Sequence, residues 1–199
     1  MPTNEELLLA WRDDPAAGDE LCKRLIDPLY AFFRTKVDRG AEDLVQKTLT
    51  AFLEGRDRFA GRSSVLGYVF GIARNILLAA LRARYDGQRE VDFGSDSIED
   101  LQPSPSSVAA QRQTQARLTR ALRRLPADQY MALELFYWQG LTATAVGEAL
   151  GISEGGVRSR LHRAKAALRE QLENDGASAD EVETTMSRLE ANEPPDEPA

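Results

Sequence analysis

One cysteine, Cys22, and one histidine, His162, are the whole supply of thiol and imidazole in 199 residues. A single thiol allows no internal disulfide, and no zinc site of the Cys and His kind can be assembled. A reducing, cytoplasmic setting fits such a chain. Long apolar runs are scarce as well: no stretch approaches the roughly 20 apolar residues that span a bilayer. The opening MPTNEELLLAWRDD is acidic, where a secretory leader is basic. Export and membrane insertion are therefore not expected. The chain also lacks a phosphate-cradling glycine loop and a nucleophile beside a base, so no enzyme, cofactor or metal is expected.

What is present is charge of both signs, unevenly placed. The formal net charge is −7, but from Glu173 to Ala199 nine acids face Arg188 alone, a net of −8. Met1 to Leu172 is thus left at +1. Asp86 to Ser107 holds six acids and one base, whereas Ala110 to Leu172 holds ten bases and five acids. A basic block flanked by two acidic segments can bind a polyanion that the total charge argues against.

Apolar residues of the first 85 positions recur at helical spacing: Leu21, Leu25, Leu29, Phe32 and Phe33, then Leu44, Val45, Thr48, Leu49, Phe52 and Leu53. A third stripe runs Val65, Leu66, Val69, Ile72, Ala73, Ile76, Leu77, Ala80 and Leu81, with Ser63 or Ser64 as its N-cap. The segment 86–107 is acidic, rich in serine and broken by Pro103 and Pro105, and reads as a flexible linker. Helical periodicity resumes near Val108, stops at Pro126 and restarts through Tyr130, Leu133, Phe136 and Tyr137 until Gly140. The fold class is all-α. Two small helical domains, 1–85 and 108–172, are joined by the linker and followed by a mostly mobile acidic tail, 173–199, with a short helix around Glu181 to Leu189.

The stretch Leu141 to Leu172, LTATAVGEALGISEGGVRSRLHRAKAALREQL, reads as two helices across a tight turn, a helix-turn-helix. Thr142 and Ser153 supply caps, Gly151 the left-handed turn residue, and Gly147 the small residue where the helices cross. Ile152 follows the turn glycine, and Val157, Leu161, Ala164 and Leu168 form the inner stripe of the second helix. Its outer face then carries Arg158, Ser159, His162, Arg163 and Lys165, with Arg160 and Arg169 at the flanks. Arginine donates two bonds to the acceptor edge of guanine, and both cations neutralise phosphates. The first amides, near Glu154, Gly155 and Gly156, face an incoming phosphate. The same bases could equally form a solvated helix face, and the turn geometry beside them tips the reading to DNA.

The segment LTATAVGEALGISEGGVRSRLHRAKAAL resembles the C-terminal helix-turn-helix of extracytoplasmic-function sigma factors of bacterial RNA polymerase, and RALRRLPADQYMALELFYWQGLT resembles the stretch before it. A second resemblance is independent: AEDLVQKTLTAFLEG and RFAGRSSVLGYVFGIARNILLAALRAR are similar to the polymerase-binding and promoter-melting helices of that family. The resemblance implies a subunit that binds core RNA polymerase and promoter DNA, directs promoter-specific initiation, works in the cytoplasm at the nucleoid, and answers to an anti-sigma factor or other regulator. It also implies residue roles. Asp43 and Gln46, with Lys47 beside them, would dock on the polymerase clamp. The loop Phe59, Ala60, Gly61, Arg62, Ser63 and Ser64 would accept a base flipped from the downstream promoter element, and Tyr68, Arg74 and Asn75 would border the opened strand. Glu154, Gly155, Gly156, Arg158, Ser159, Arg160, His162, Arg163 and Lys165 would contact the upstream element.

The chain departs from the family pattern at several positions. Lys47 stands where an acid is common, Tyr68 in the usual tryptophan place, Gly71 in a frequent arginine place and Gly156 in the usual threonine place. Phe32, Phe33, Phe52, Phe70, Tyr130 and Phe136 lie on apolar stripes and read as core rather than base-stacking platforms. Cys22 reads as an inert half-buried thiol. Two other classes of function use the same motif: a stand-alone regulator that binds an operator as a dimer, and an antagonist that sequesters another factor. The acidic tail reads as an interaction segment that folds back over the basic domain or offers a docking surface.

Overall fold

In the computed structural model, which describes residues 1–59, 61, 64–85, 90–101 and 113–194, ten α-helices are found among the described residues. Helix α1 (Asn4–Ala10) opens on a capping box between Thr3 and Glu6, and α2 (Pro15–Arg34) on Asp14, whose carboxylate accepts from the Ala16 amide at 2.9 Å. Trp11 lies over Gly18 so closely that a Cβ there would come within 2.0 Å of the indole ring, which is why glycine holds that place. Helices α3 (Ala41–Gly55) and α4 (Val65–Ala83) complete the N-terminal body; Ser64 caps α4, accepting from the Gly67 amide at 3.0 Å. Leu21, Leu25, Leu29, Phe32, Phe33, Phe52, Phe70, Leu77 and Leu81 are fully or almost fully buried, whereas Leu53, expected on the core stripe, is exposed. By length and composition α4 could cross a bilayer, but Val69, Phe70, Ala73, Leu77 and Leu81 spend its apolar surface on the core.

The C-terminal body consists of α6 (Gln113–Arg123), α7 (Ala127–Leu133), a π-helical continuation Glu134–Trp138, α8 (Ala143–Leu150) and α9 (Glu154–Asn174). Part of the segment expected to be a flexible linker is folded. Residues 90–101 carry the short helix α5 (Ile98–Leu101) and bury Phe93, Ile98 and Leu101, and the carbonyls of Asp96 and Phe93 accept from the Ala127 and Asp128 amides at 3.0 Å each. These carbonyls satisfy amides at the start of α7, where Pro126 provides no side-chain cap. Three apolar residues in an acidic segment are enough to fix it once they reach a common core.

The tail carries the short helix expected around Glu181 to Leu189, but that helix is docked rather than mobile. At the end of α9, Gly176 adopts φ +77°, and the Ala177 and Gly176 amides donate to the Leu172 and Glu173 carbonyls at 3.0 Å each. The chain reverses there into α10 (Ala179–Glu190), which begins with a Ser178 and Glu181 capping box and buries Val182, Met186 and Leu189. Spacings of four and three residues put those side chains on one face.

The two bodies share one apolar core. Helix α4 meets α8 through small residues: a Cβ on Gly67 would stand 3.3 Å from the Ala145 carbonyl oxygen, and one on Gly71 3.5 Å from the Ala149 Cα. Between the turn that follows α2 and the π-helical stretch, the Lys36 ammonium and the Glu134 carboxylate form a buried ion pair. The ammonium also donates to the Phe32 carbonyl at 2.8 Å and lies over the Phe32 and Tyr130 rings. Burial pushes the Lys36 pKa down and the Glu134 pKa up, both against their mutual attraction.

Candidate nucleic-acid and partner interfaces

The bihelical unit is built as its sequence demands. Thr142 accepts from the Ala145 amide at 3.2 Å, and Ser153 from the Gly156 amide at 3.2 Å. Gly151 turns at φ +71°, and the Ile152 amide donates to the Gly147 carbonyl at 2.9 Å. A Cβ on Gly147 would lie 2.7 Å from the Ile152 carbonyl oxygen, so the crossing admits nothing larger than glycine. Val157, Leu161, Ala164 and Leu168 are buried on the inner side of α9. Because Ser153 occupies the Gly156 amide, the free amides at the helix start are those of Glu154 and Gly155.

On the outer side, Glu154, Gly155, Arg158, Ser159, His162 and Arg163 are exposed, and Arg158 pairs along the helix with Glu154 at 2.9 Å. Two expected members of the face are engaged elsewhere. Arg160 is half-buried and lies 3.2 Å from Asp128, near the start of α7. Lys165 is half-buried and pairs with Glu190 of α10 at 3.2 Å. Gly156 is half-buried under its own cap.

In the N-terminal body, Phe59 and Tyr68 pack with their rings tilted at 51° and centroids 5.4 Å apart, and the Tyr68 hydroxyl donates to the Gly55 carbonyl at 3.2 Å. Gly61 holds φ +67°, Ser64 caps α4 and Asn75 is exposed. Ala60, Arg62 and Ser63 lie outside the described residues. Arg74 reaches Asp128 at 3.4 Å, so one carboxylate holds a cation from α4 and another from α9. A groove of about 650 Å³ runs between α4 and α8, with Phe59, Tyr68, Arg74, Asn75, Glu148 and Gly151 among its lining. On α3, Asp43, Gln46 and Lys47 share the exposed side, and Lys47 pairs with Asp43 at 2.8 Å. Among the described residues no group of three His, Cys, Asp or Glu side chains is placed to hold a metal. Cys22 is half-buried, and burial raises its thiol pKa.

Sequence reasoning missed Asp128, Lys36, Glu134 and the partners of Arg117, Arg120 and Arg124. Asp128 reads locally as an ordinary first-turn acid, and the others as solvated helix charges. Their roles depend on residues dozens of positions away, so no local pattern marks them.

An all-helical chain that presents a cationic helix-turn-helix beside a second helical body has the architecture of DNA-binding transcription proteins. The comparisons with known proteins narrow the class. The Sigma-70 region 2 family matches residues 21–86, and the Sigma-70, region 4 family matches residues 115–168. The chain is 30% identical to the ECF RNA polymerase sigma factor RpoE of Cereibacter sphaeroides, over 83% of this chain and 93% of that one. It is 34% identical to the ECF RNA polymerase sigma factor SigF of Caulobacter vibrioides, over 80% of this chain and 87% of that one. Among solved structures it is similar to the sigma factor RpoE in complex with the anti-sigma factor NepR from Bartonella quintana, with a TM-score of 0.59 and 25% identity over 78% of this chain and 96% of that one.

The chain belongs to the ECF RNA polymerase sigma factors. It is a cytoplasmic subunit that binds core RNA polymerase and directs promoter-specific transcription initiation.

Proposed function

We propose that the two bodies divide promoter recognition between them. The N-terminal half of α9 reads the upstream element from the major groove through Arg158, Ser159, His162 and Arg163, while the Glu154 and Gly155 amides receive a backbone phosphate. The observation that carries this reading is the division of α9, whose apolar residues are buried on one side while these polar ones are exposed on the other. The loop Phe59 to Ser64 takes a base from the downstream element. Unstacking a base costs a few kcal/mol, which a pocket beside the Phe59 and Tyr68 rings can return by stacking. Arg74 and Asn75 border the opened strand, and Arg74 exchanges Asp128 for a phosphate when it does so. Asp43, Gln46 and Lys47 dock on the polymerase clamp. Melting then follows from binding energy, with no chemical step on the chain. An anti-sigma factor is the partner that fits the free protein, and the working protein is at the nucleoid.

Run-off transcription with purified core polymerase, followed by sequencing of the start sites, tests the division. The wild type should give discrete starts that share two spaced elements. Arg163→Ala should lose selectivity for the upstream element, and Asn75→Ala should slow melting at an unchanged start. Start sites that share only one element would overturn it, as would a chain that binds operators as a dimer and gives no polymerase-dependent starts.

A further inference from the structure

Five bases of the C-terminal body are held by acids that follow α9. Glu181 lies 2.8 Å from Arg117, Glu183 3.3 Å from Arg169 and Glu190 3.2 Å from Lys165, while Asp175 takes Arg120 at 2.8 Å and Arg124 at 3.2 Å. Lys165 and Arg169 belong to the C-terminal half of α9, the helix whose N-terminal half leaves Arg158, Ser159, His162 and Arg163 exposed. The acids are placed by structure and not by charge alone. Gly176 turns the chain back, the capping box starts α10, and the buried Val182, Met186 and Leu189 dock it. Carboxylates that ion-pair with lysine and arginine beside a DNA-reading surface occupy the positions that phosphate oxygens would otherwise take.

We propose that α10 is an intramolecular stand-in for the DNA backbone. Its Glu183 and Glu190 screen Arg169 and Lys165, so the free chain grips duplexes of any sequence weakly, while the base-reading end of α9 stays open. DNA must displace both carboxylates before its phosphates reach the two bases. The net counterion release on binding is then smaller than the basic face by itself would give. This inference rests on the reading of α9 as the DNA-binding helix.

The test uses the full chain and a labelled mixed-sequence duplex, with affinity measured by anisotropy across a salt series. The double variant Glu183→Gln and Glu190→Gln should bind about three- to tenfold tighter at low salt, and its log affinity should fall more steeply with log salt, by up to about 2. Val182→Asp, which undocks α10 without removing the acids, should reproduce most of the gain. The double variant Asp13→Asn and Asp27→Asn makes the same change in net charge within the N-terminal body and should leave the slope unaltered. Equal slopes for the two double variants would overturn the proposal. A loss of binding in Arg163→Ala alongside an unchanged Glu183→Gln and Glu190→Gln protein would keep α9 as the DNA-binding helix and remove only the role of α10. Indifference of binding to both changes would remove the reading of α9 as well.

Discussion

Two contacts in this molecule, Lys36 with Glu134 and Lys165 with Glu190, join the same chemical groups in opposite surroundings. The first bridges the two bodies with both side chains out of water; the second joins α9 to α10 with the glutamate more than half exposed. Taking charges out of water costs several kcal/mol per ion, and only a complete pairing offsets it. A pair whose carboxylate stands in water gains little, because water competes for that partner. The interior pair therefore spans the contact between the two bodies as a charge that must stay paired, whereas the surface pair can exchange its carboxylate for another anion. Burial, not chemistry, separates a structural charge from one available to DNA.

The largest expected effect breaks the interior contact. Glu134→Ala strands the Lys36 ammonium and should cost about 3 to 5 kcal/mol in urea unfolding. Replacing both partners, Lys36→Met with Glu134→Leu, should restore most of that loss, since no charge is left buried. A single variant within about 1 kcal/mol of wild type would erase the contrast, because it would behave as a surface pair does. A smaller effect sharpens the other side. Arg158, paired with Glu154 along an exposed face, should contribute only about 0.3 to 0.5 kcal/mol to stability. Arg158→Ala should nevertheless lose roughly 1 to 3 kcal/mol of discrimination at one base pair of the upstream element, read from holoenzyme binding to single-base promoter variants.

The smallest effect concerns acid. Burial disfavours ionised Asp175, but hydrogen bonds and charge from Arg120 and Arg124 outweigh it and hold its pKa below the usual carboxylate range. Glu181 is lowered as well, first by the backbone amide of Ser178 and then by Arg117. A carboxylate whose folded pKa is depressed contributes stability above its unfolded value, near about 4, and that contribution disappears as pH falls through the folded value. Acidification below about pH 4 should therefore loosen the junction of α9 with α10, and the start of α10, before the core. Amide exchange should show the start of α10 losing protection while Leu29 to Phe33 keep theirs; simultaneous loss in both would contradict the separation.

Much of this was legible in the residues. The stripes from Leu21 to Leu81, the caps Thr142 and Ser153, the turn at Gly151 and the crossing at Gly147 all follow from local rules of spacing and hydrogen bonding, and the structure places them accordingly. The exposure of Arg158, Ser159, His162 and Arg163 follows from the same periodicity. Arg160 and Arg74 read equally well as DNA contacts, yet both rest on Asp128, which no periodicity connects to either. Residues 90–101 carry too few apolar side chains to announce a fold, and Leu53 sits on a stripe that its neighbours do not cover.

By itself the sequence determined the helices, their inner and outer faces, the bihelical turn and the segregation of charge, because each depends on groups a few positions apart. Only the tertiary structure decided that the bodies share a core, that Lys36 and Glu134, 98 residues apart, meet out of water, and that the acidic tail returns as α10 onto α9. Those choices depend on which distant surfaces exclude water together, and that is a property of the packed chain and not of any local stretch of it.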